Sequence, residues 1–155
     1  MMRYKFILLI LCFSLITSCG FKPVNINNDY KFIEINLTGD KRINYILRNK
    51  LNVNSNKDSA SLVKINITTN KIKSIKEKDI KNQITKYQIK INTKVEYTYL
   101  KNGASNEFTL SASSAYDVAS RYSVTLNNEK NLINALINKL AEDILEKLTN
   151  QLNDL

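Results

Sequence analysis

Between Lys86 and Tyr99 the chain alternates without a break, and this restricts its fold more than any other feature. Tyr87, Ile89, Ile91, Thr93, Val95, Tyr97 and Tyr99 are interleaved with Lys86, Gln88, Lys90, Asn92, Lys94, Glu96 and Thr98. Successive side chains of a strand point to opposite faces, so one face of this strand is apolar and aromatic and the other is wet. A strand of that kind fits an antiparallel sheet covered by helices on one side and open on the other. It also exceeds the roughly five or six residues of a typical strand, so a bend or bulge is expected along it.

The flanking segments extend the sheet. Lys101-Asn102-Gly103 predicts an Asn-Gly turn into a strand over Asn106–Val118, with Phe108, Leu110, Ala112 and Ser114 facing inward. Upstream, Val63, Ile65 and Ile67 share one face of a strand over Leu62–Thr69, which could continue through Ile72 and Ile75. Lys76–Asn82 holds too little apolar surface for a core and reads as a solvated hairpin tip. Earlier still, Ile33, Ile35 and Leu37 alternate with Glu34 and Asn36 in a strand over Phe32–Leu37. Gly39-Asp40 ends it, and Asp40 is placed to cap a helix carrying Ile43, Ile46, Leu47 and Leu51, which the polar Asn52–Ser59 stretch closes.

After Tyr122 the period changes. Leu132, Ile133, Leu136, Ile137, Leu140, Ala141, Ile144, Leu145, Leu148 and Leu152 recur at three and four residues, the stripe of an amphipathic helix over Asn128–Leu152, with Ser123 or Asn127 as its cap. A helix of that length covers about 37 Å. The stripe could pair helices between molecules, but the strands' apolar face is the nearest cover. Strand, helix, three strands, helix therefore predicts an α+β fold: a two-layer sandwich with two helices packed on one face of a mainly antiparallel four-stranded sheet.

The amino-terminal segment has a different character. Arg3 and Lys5 precede an apolar tract, Phe6–Leu15, followed by Ile16-Thr17-Ser18-Cys19. The tract is about ten residues against the ~20 a spanning helix needs, so it reads as a signal peptide over residues 1–18. A cysteine directly after the small residues resembles the bacterial lipobox, with Cys19 as the lipid attachment site bearing diacylglycerol and an acylated (palmitate-type) amino terminus. Several chains on one residue, at roughly 0.8 kcal/mol per buried methylene, hold a domain at a bilayer durably. The competing reading is an ordinary secretory signal that leaves a free thiol. Cys12 falls within the leader, so Cys19 would have no partner for a disulfide. Residues 19–29, with Pro23, the chain's single proline, and the polar Asn25–Asp29 run, read as a lipidated tether reaching at most about 35 Å. Residues 30–155 then form one domain.

Composition bounds the chemistry. There is no histidine, which excludes histidine-based acid–base catalysis, imidazole metal sites and Ser-His-Asp triads. Glycines at 20, 39 and 103 leave no phosphate-cradling loop. Glu77 and Asp79, and Glu142, Asp143 and Glu146, lie beside lysines as in ordinary solvated ion pairs. The expectation is no enzyme, no cofactor, no metal and no nucleic-acid partner. Lys and Arg number 23 against 14 Asp and Glu; without the leader's two, 21 against 14 leaves +7. That charge either attracts anionic partners such as phosphorylated lipids or reflects the Lys, Asn and Ile bias of an A/T-rich genome.

Read together, the leader, Cys19-Gly20-Phe21-Lys22-Pro23, the helix with Leu47-Arg48-Asn49-Lys50-Leu51, the long alternating strands, Tyr116-Asp117-Val118 followed by Ser120-Arg121-Tyr122-Ser123, and the terminal helix resemble the LPS-assembly lipoprotein family, LptE. The resemblance implies a non-catalytic helix-on-sheet domain at the periplasm-facing side of the outer membrane. It also implies a seat inside the LptD β-barrel, which the domain plugs and helps to assemble, and binding of lipopolysaccharide in transit. The rival expectation is a periplasmic lipoprotein that binds peptidoglycan or activates a cell-wall synthase. For the ligand face, Lys86, Lys90 and Lys94 occupy outward positions about 13 Å apart per four residues and could engage phosphates; the bland alternative is a lysine-decorated soluble face. Tyr87, Tyr97 and Tyr99 are expected in the core, while Arg48, Tyr116 and Arg121 fit either barrel contact or local packing.

Overall fold

The computed structural model describes residues 30–153. Cys19 and the expected leader and tether lie outside them. The elements are β1 (Lys31–Gly39), α1 (Lys41–Val53), β2 (Leu62–Lys78), β3 (Ile84–Tyr99), β4 (Ala104–Asp117) and α2 (Tyr122–Asn153). The sheet order is β1-β2-β3-β4. β2, β3 and β4 are antiparallel neighbours, whereas β1 runs parallel to β2 because α1 carries the chain back before β2 begins. The fold is the expected α+β arrangement, and the described residues include no helix long and apolar enough to cross a membrane.

The inner face of the sheet and the stripes of both helices make one core. Val63, Ile65 and Ile67 from β2, Ile89, Ile91 and Val95 from β3, Phe108 and Ala112 from β4, and Leu47 and Leu51 from α1 are all buried. From α2, Ile137, Leu140, Ile144, Leu145 and Leu148 close the layer, each buried side chain contributing about 1.5–3 kcal/mol. One polar intruder sits at the centre: Thr93 is fully buried and its hydroxyl has no hydrogen-bond partner.

The details depart from simple alternation at identifiable points. Phe32 pairs with Val63 and Glu34 with Lys64, so Ile33 is the extra residue of a β-bulge and lies 44% exposed rather than inward. The bulge lets Phe32 and Ile35 both point toward the core. On β2 the inward register passes from Thr69 to Lys71 and Lys73, and β1 has already ended opposite Thr69. Beyond that point β2 pairs with β3 alone. β3 is regular against β4 over its full shared length; its irregularity falls against β2 near the hairpin tip, where Lys76 is the extra residue on β2 and Thr85 the extra residue on β3.

One turn and one helix start differ from expectation. The β3–β4 connection spans residues 100–103, and there only Gly103 takes a positive φ (70°). A two-residue type I′ turn needs positive φ at both central residues, and Asn102 instead uses its side-chain oxygen to accept the Ala104 N–H at 3.0 Å. α2 begins at Tyr122, a full turn and more before the expected start. Its first turn is anchored by Thr125, whose hydroxyl accepts from the Ala119 N–H at 2.9 Å and donates to the Ala119 carbonyl. α1 follows expectation: the Asp40 side chain accepts from the N–H groups of Arg42 and Ile43 at 3.0 and 3.1 Å.

Candidate functional surfaces

Lys86, Lys90 and Lys94 all project from the outer face of β3, and the strands on either side decide what each can do. Lys94 Nζ lies 2.8 Å from both Glu96 Oε1 and Glu107 Oε2, and Lys86 Nζ lies 2.8 Å from Glu77 Oε2. Hydrogen bonds to these carboxylates hold both ammonium groups above their ordinary pKa, and the Lys86 bond holds Glu77 below its own. Lys90 stands between Ile72 and Ser113. Among the described residues it has no carboxylate partner, so it is the cation of the row most available to an incoming phosphate.

The rest of the outer face is a polar ladder. Asn36 donates to Asn66 at 3.1 Å, Thr38 and Thr68 hydroxyls meet at 3.0 Å, and Thr98 and Ser105 at 2.9 Å. A shallow hollow of ≈ 430 Å³ near the β3–β4 turn is lined by Asn66, Glu96, Thr98 and Glu107 among others. Its two carboxylates, Glu96 and Glu107, are the ones that hold Lys94.

At the other end of the sheet, on the helix side, the inward lysines of β2 meet the helix starts. Lys71 Nζ bridges to Asp40 Oδ2 at 2.9 Å. Lys73 Nζ lies 2.6 Å from Glu129 Oε2, which also accepts the Tyr116 hydroxyl at 2.7 Å. The same ammonium stands 4.4 Å from the Tyr87 ring centroid and 5.4 Å from that of Tyr116, and those rings stack at 5.8 Å. Burial works to raise the Glu129 pKa, but the bonds from Lys73 and Tyr116 outweigh it and leave the carboxyl below its ordinary value. Tyr116 is thus packed and bonded within the domain, whereas Arg48 and Arg121 are exposed. Tyr97 and Tyr99 are core, as expected, and Tyr87 is half-buried against it. Beside this network a cleft of ≈ 330 Å³ opens between Arg42 and Lys71 on one side and Leu126 and Lys130 on the other.

The β2–β3 hairpin continues past that network as a projecting tip. Ile80, at its apex, is fully exposed, and Ile72 and Ile75 on β2 are 45% and 50% exposed. At the start of α2, Tyr122, Val124 and Leu126 are exposed as well. The lysine row is readable from alternation alone; the carboxylates that occupy two of its members and the apolar apex are not.

No family model matches the chain, and no curated protein sequence matches it. Solved structures do. A Caulobacter crescentus protein assigned provisionally as a lipoprotein superposes with a TM-score of 0.59 at 16% identity, over 82% of this chain and 92% of that one. The rare lipoprotein B of Shewanella oneidensis gives 0.59 at 14% identity, over 78% and 97%. A lipoprotein B of Nitrosomonas europaea gives 0.55 at 11% identity, over 86% and 93%. At these identities the likeness establishes a shared fold, across most of each compared chain.

Proposed function

We propose that this chain is a non-catalytic outer-membrane lipoprotein, anchored through Cys19, that seats in and helps assemble an LptD-like β-barrel and binds lipopolysaccharide on its way to the cell surface. The observation that carries the reading is the helix-on-sheet fold, matched over nearly the whole length of chains described as lipoproteins. The amino-terminal Cys-Gly-Phe-Lys-Pro run and the Leu-Arg-Asn-Lys-Leu helix support it independently. A narrow sheet with a polar outer face and helices on its other side is a shape suited to filling a barrel lumen, where water and polar side chains replace lipid.

Lipopolysaccharide binding is assigned to the β3 lysine row, with Lys90 as the principal contact because Lys86 and Lys94 are engaged by Glu77, Glu96 and Glu107. The test has two arms. Co-expressed with the barrel, the full chain is expected to co-purify with it from solubilised outer membranes; recovery with some other envelope partner alone would overturn the plug reading. In the same complex, Lys90→Gln is expected to weaken lipopolysaccharide binding more than Lys94→Gln does while leaving barrel association intact. Unchanged binding in the Lys86/Lys90/Lys94→Gln triple variant would remove the row as the ligand face.

A further inference from the structure

We infer that the apex of the β2–β3 hairpin is a membrane-contact device: Ile80, flanked along the chain by the exposed Lys76, Lys78 and Lys81, docks into a bilayer surface that carries anionic headgroups. The inference stands on the hairpin alone and does not depend on the barrel or on lipopolysaccharide.

Ile80 is fully exposed at the farthest point of a projecting hairpin, a position where a soluble chain ordinarily places Gly, Asn or Asp. The turn around it is built to hold it there. Asp79 Oδ1 accepts the N–H groups of Lys81 and Gln83 at 2.9 and 2.8 Å. The Asp79 N–H donates to the Gln83 carbonyl at 2.8 Å, and the Asn82 N–H to the Asp79 carbonyl at 3.0 Å. Asn82 takes the left-handed conformation, φ 61°, that brings its side-chain oxygen to Lys78 Nζ at 2.9 Å. The backbone N–H groups of residues 79, 81, 82 and 83 are therefore already satisfied, which lowers the polar cost of bringing the apex to the headgroup level of a bilayer.

Charge selects the occupant. Glu77 is engaged by Lys86, and Asp79, the remaining acid of the tip, is occupied by backbone donors, which leaves Lys76, Lys78 and Lys81 without an ion-pair partner among the described residues. An apolar point with a cationic collar is complementary to a layer with an apolar interior and anionic surface. Ile75, paired with Tyr87 on the helix-side face of β2, is half-exposed five residues behind the apex. The position of the tip makes this a contact separate from the amino-terminal end. The Lys31 N–H bonds to the Ser61 carbonyl at 2.7 Å, at the start of β2, and the seventeen residues of β2 put the apex about 55 Å away.

The chain contains no tryptophan, so a single one reports its own surroundings. In the full chain reconstituted into phosphatidylcholine vesicles with or without phosphatidylglycerol, Ile80→Trp emission is expected to shift to the blue, and to be quenched by brominated lipid, only when phosphatidylglycerol is present. Leu100→Trp, in the turn at the opposite end of β3, is expected to stay unshifted in both. Adding Lys76→Glu, Lys78→Glu and Lys81→Glu, or raising the salt concentration, should abolish the response of the Ile80→Trp chain. Equal emission in neutral and anionic vesicles, a response that survives the charge reversal, or a shift that appears only when a barrel protein is included would each overturn the inference, the last by assigning the apex to a protein partner.

Discussion

Two single positions test how tightly the interior is specified. Gly39 ends β1 at φ 109°, and a Cβ placed there would lie 2.0 Å from the Thr69 carbonyl oxygen, which belongs to the paired strand and has no room to retreat. Gly39→Ala is therefore expected to cost at least about 2 kcal/mol, read from chemical denaturation, and to loosen β1 first. Thr93 is the opposite case. Its hydroxyl is buried without a partner, so Thr93→Val keeps the shape, removes an unsatisfied polar atom, and should raise stability by about 1 kcal/mol. A loss of stability there would mean that the hydroxyl has a partner in solution. The sequence shows Thr93 as one member of an inward row and says nothing of its orphaned oxygen, because that depends on which neighbours β2, β4 and α2 bring over it. Ile33 teaches the same lesson: the alternation of Ile33, Ile35 and Leu37 is real, but a bulge shifts the phase by one residue and puts Phe32 inside in its place.

β2 is the segment whose extent is least legible, and the cause is chemical. Its inward register continues as Lys71 and Lys73, residues that resemble loop composition until α1 and α2 supply Asp40 and Glu129 to receive them. The start of α2 is hidden for a related reason, since Tyr122, Val124 and Leu126 are exposed and only Thr125 marks the first turn as packed. The Lys73–Glu129–Tyr116 junction ties these two elements together and makes a pH-dependent contribution whose sign follows from the shifts. Glu129 is lowered from 4.5, so its contribution is complete above the ordinary carboxylate range and is withdrawn as pH falls through its lower folded-state value. Lys73 is raised from 10.5: burial pulls the other way, and the bonds to Glu129 and Tyr116 prevail. Its contribution is complete below the ordinary lysine range and is lost as pH rises through the higher folded value. Lys73 is still 40% exposed, so the pair is screened and Glu129→Gln is expected to cost only about 1 kcal/mol near neutrality. Thermal unfolding followed across pH should show the variant and parent converging as pH falls through the lowered folded-state value of Glu129; a constant difference would place the effect in packing instead.

Across the molecule, stability is distributed unevenly. β3 is paired on both sides and lies under α2, whereas β1 has one partner, over eight of its nine residues. Hydrogen exchange is expected to show β1 amides opening well before those of Ile89 to Val95, and β1 protection no weaker than that of β3 would contradict this ordering. The overall architecture is legible because helix and strand periods are long and clean in α2 and β3; the mixed character of the sheet is not, because period alone carries no direction, and only the α1 crossover makes β1 run alongside β2. That parallel pair has a further consequence for biogenesis. During synthesis β1 leaves the ribosome about thirty residues ahead of β2, the strand it pairs with, while β2, β3 and β4 join through nearest-neighbour hairpins that close quickly. Tyr30, Phe32 and Ile35 therefore spend the interval without shelter, and any chaperone that escorts this protein has its earliest and longest task at that end.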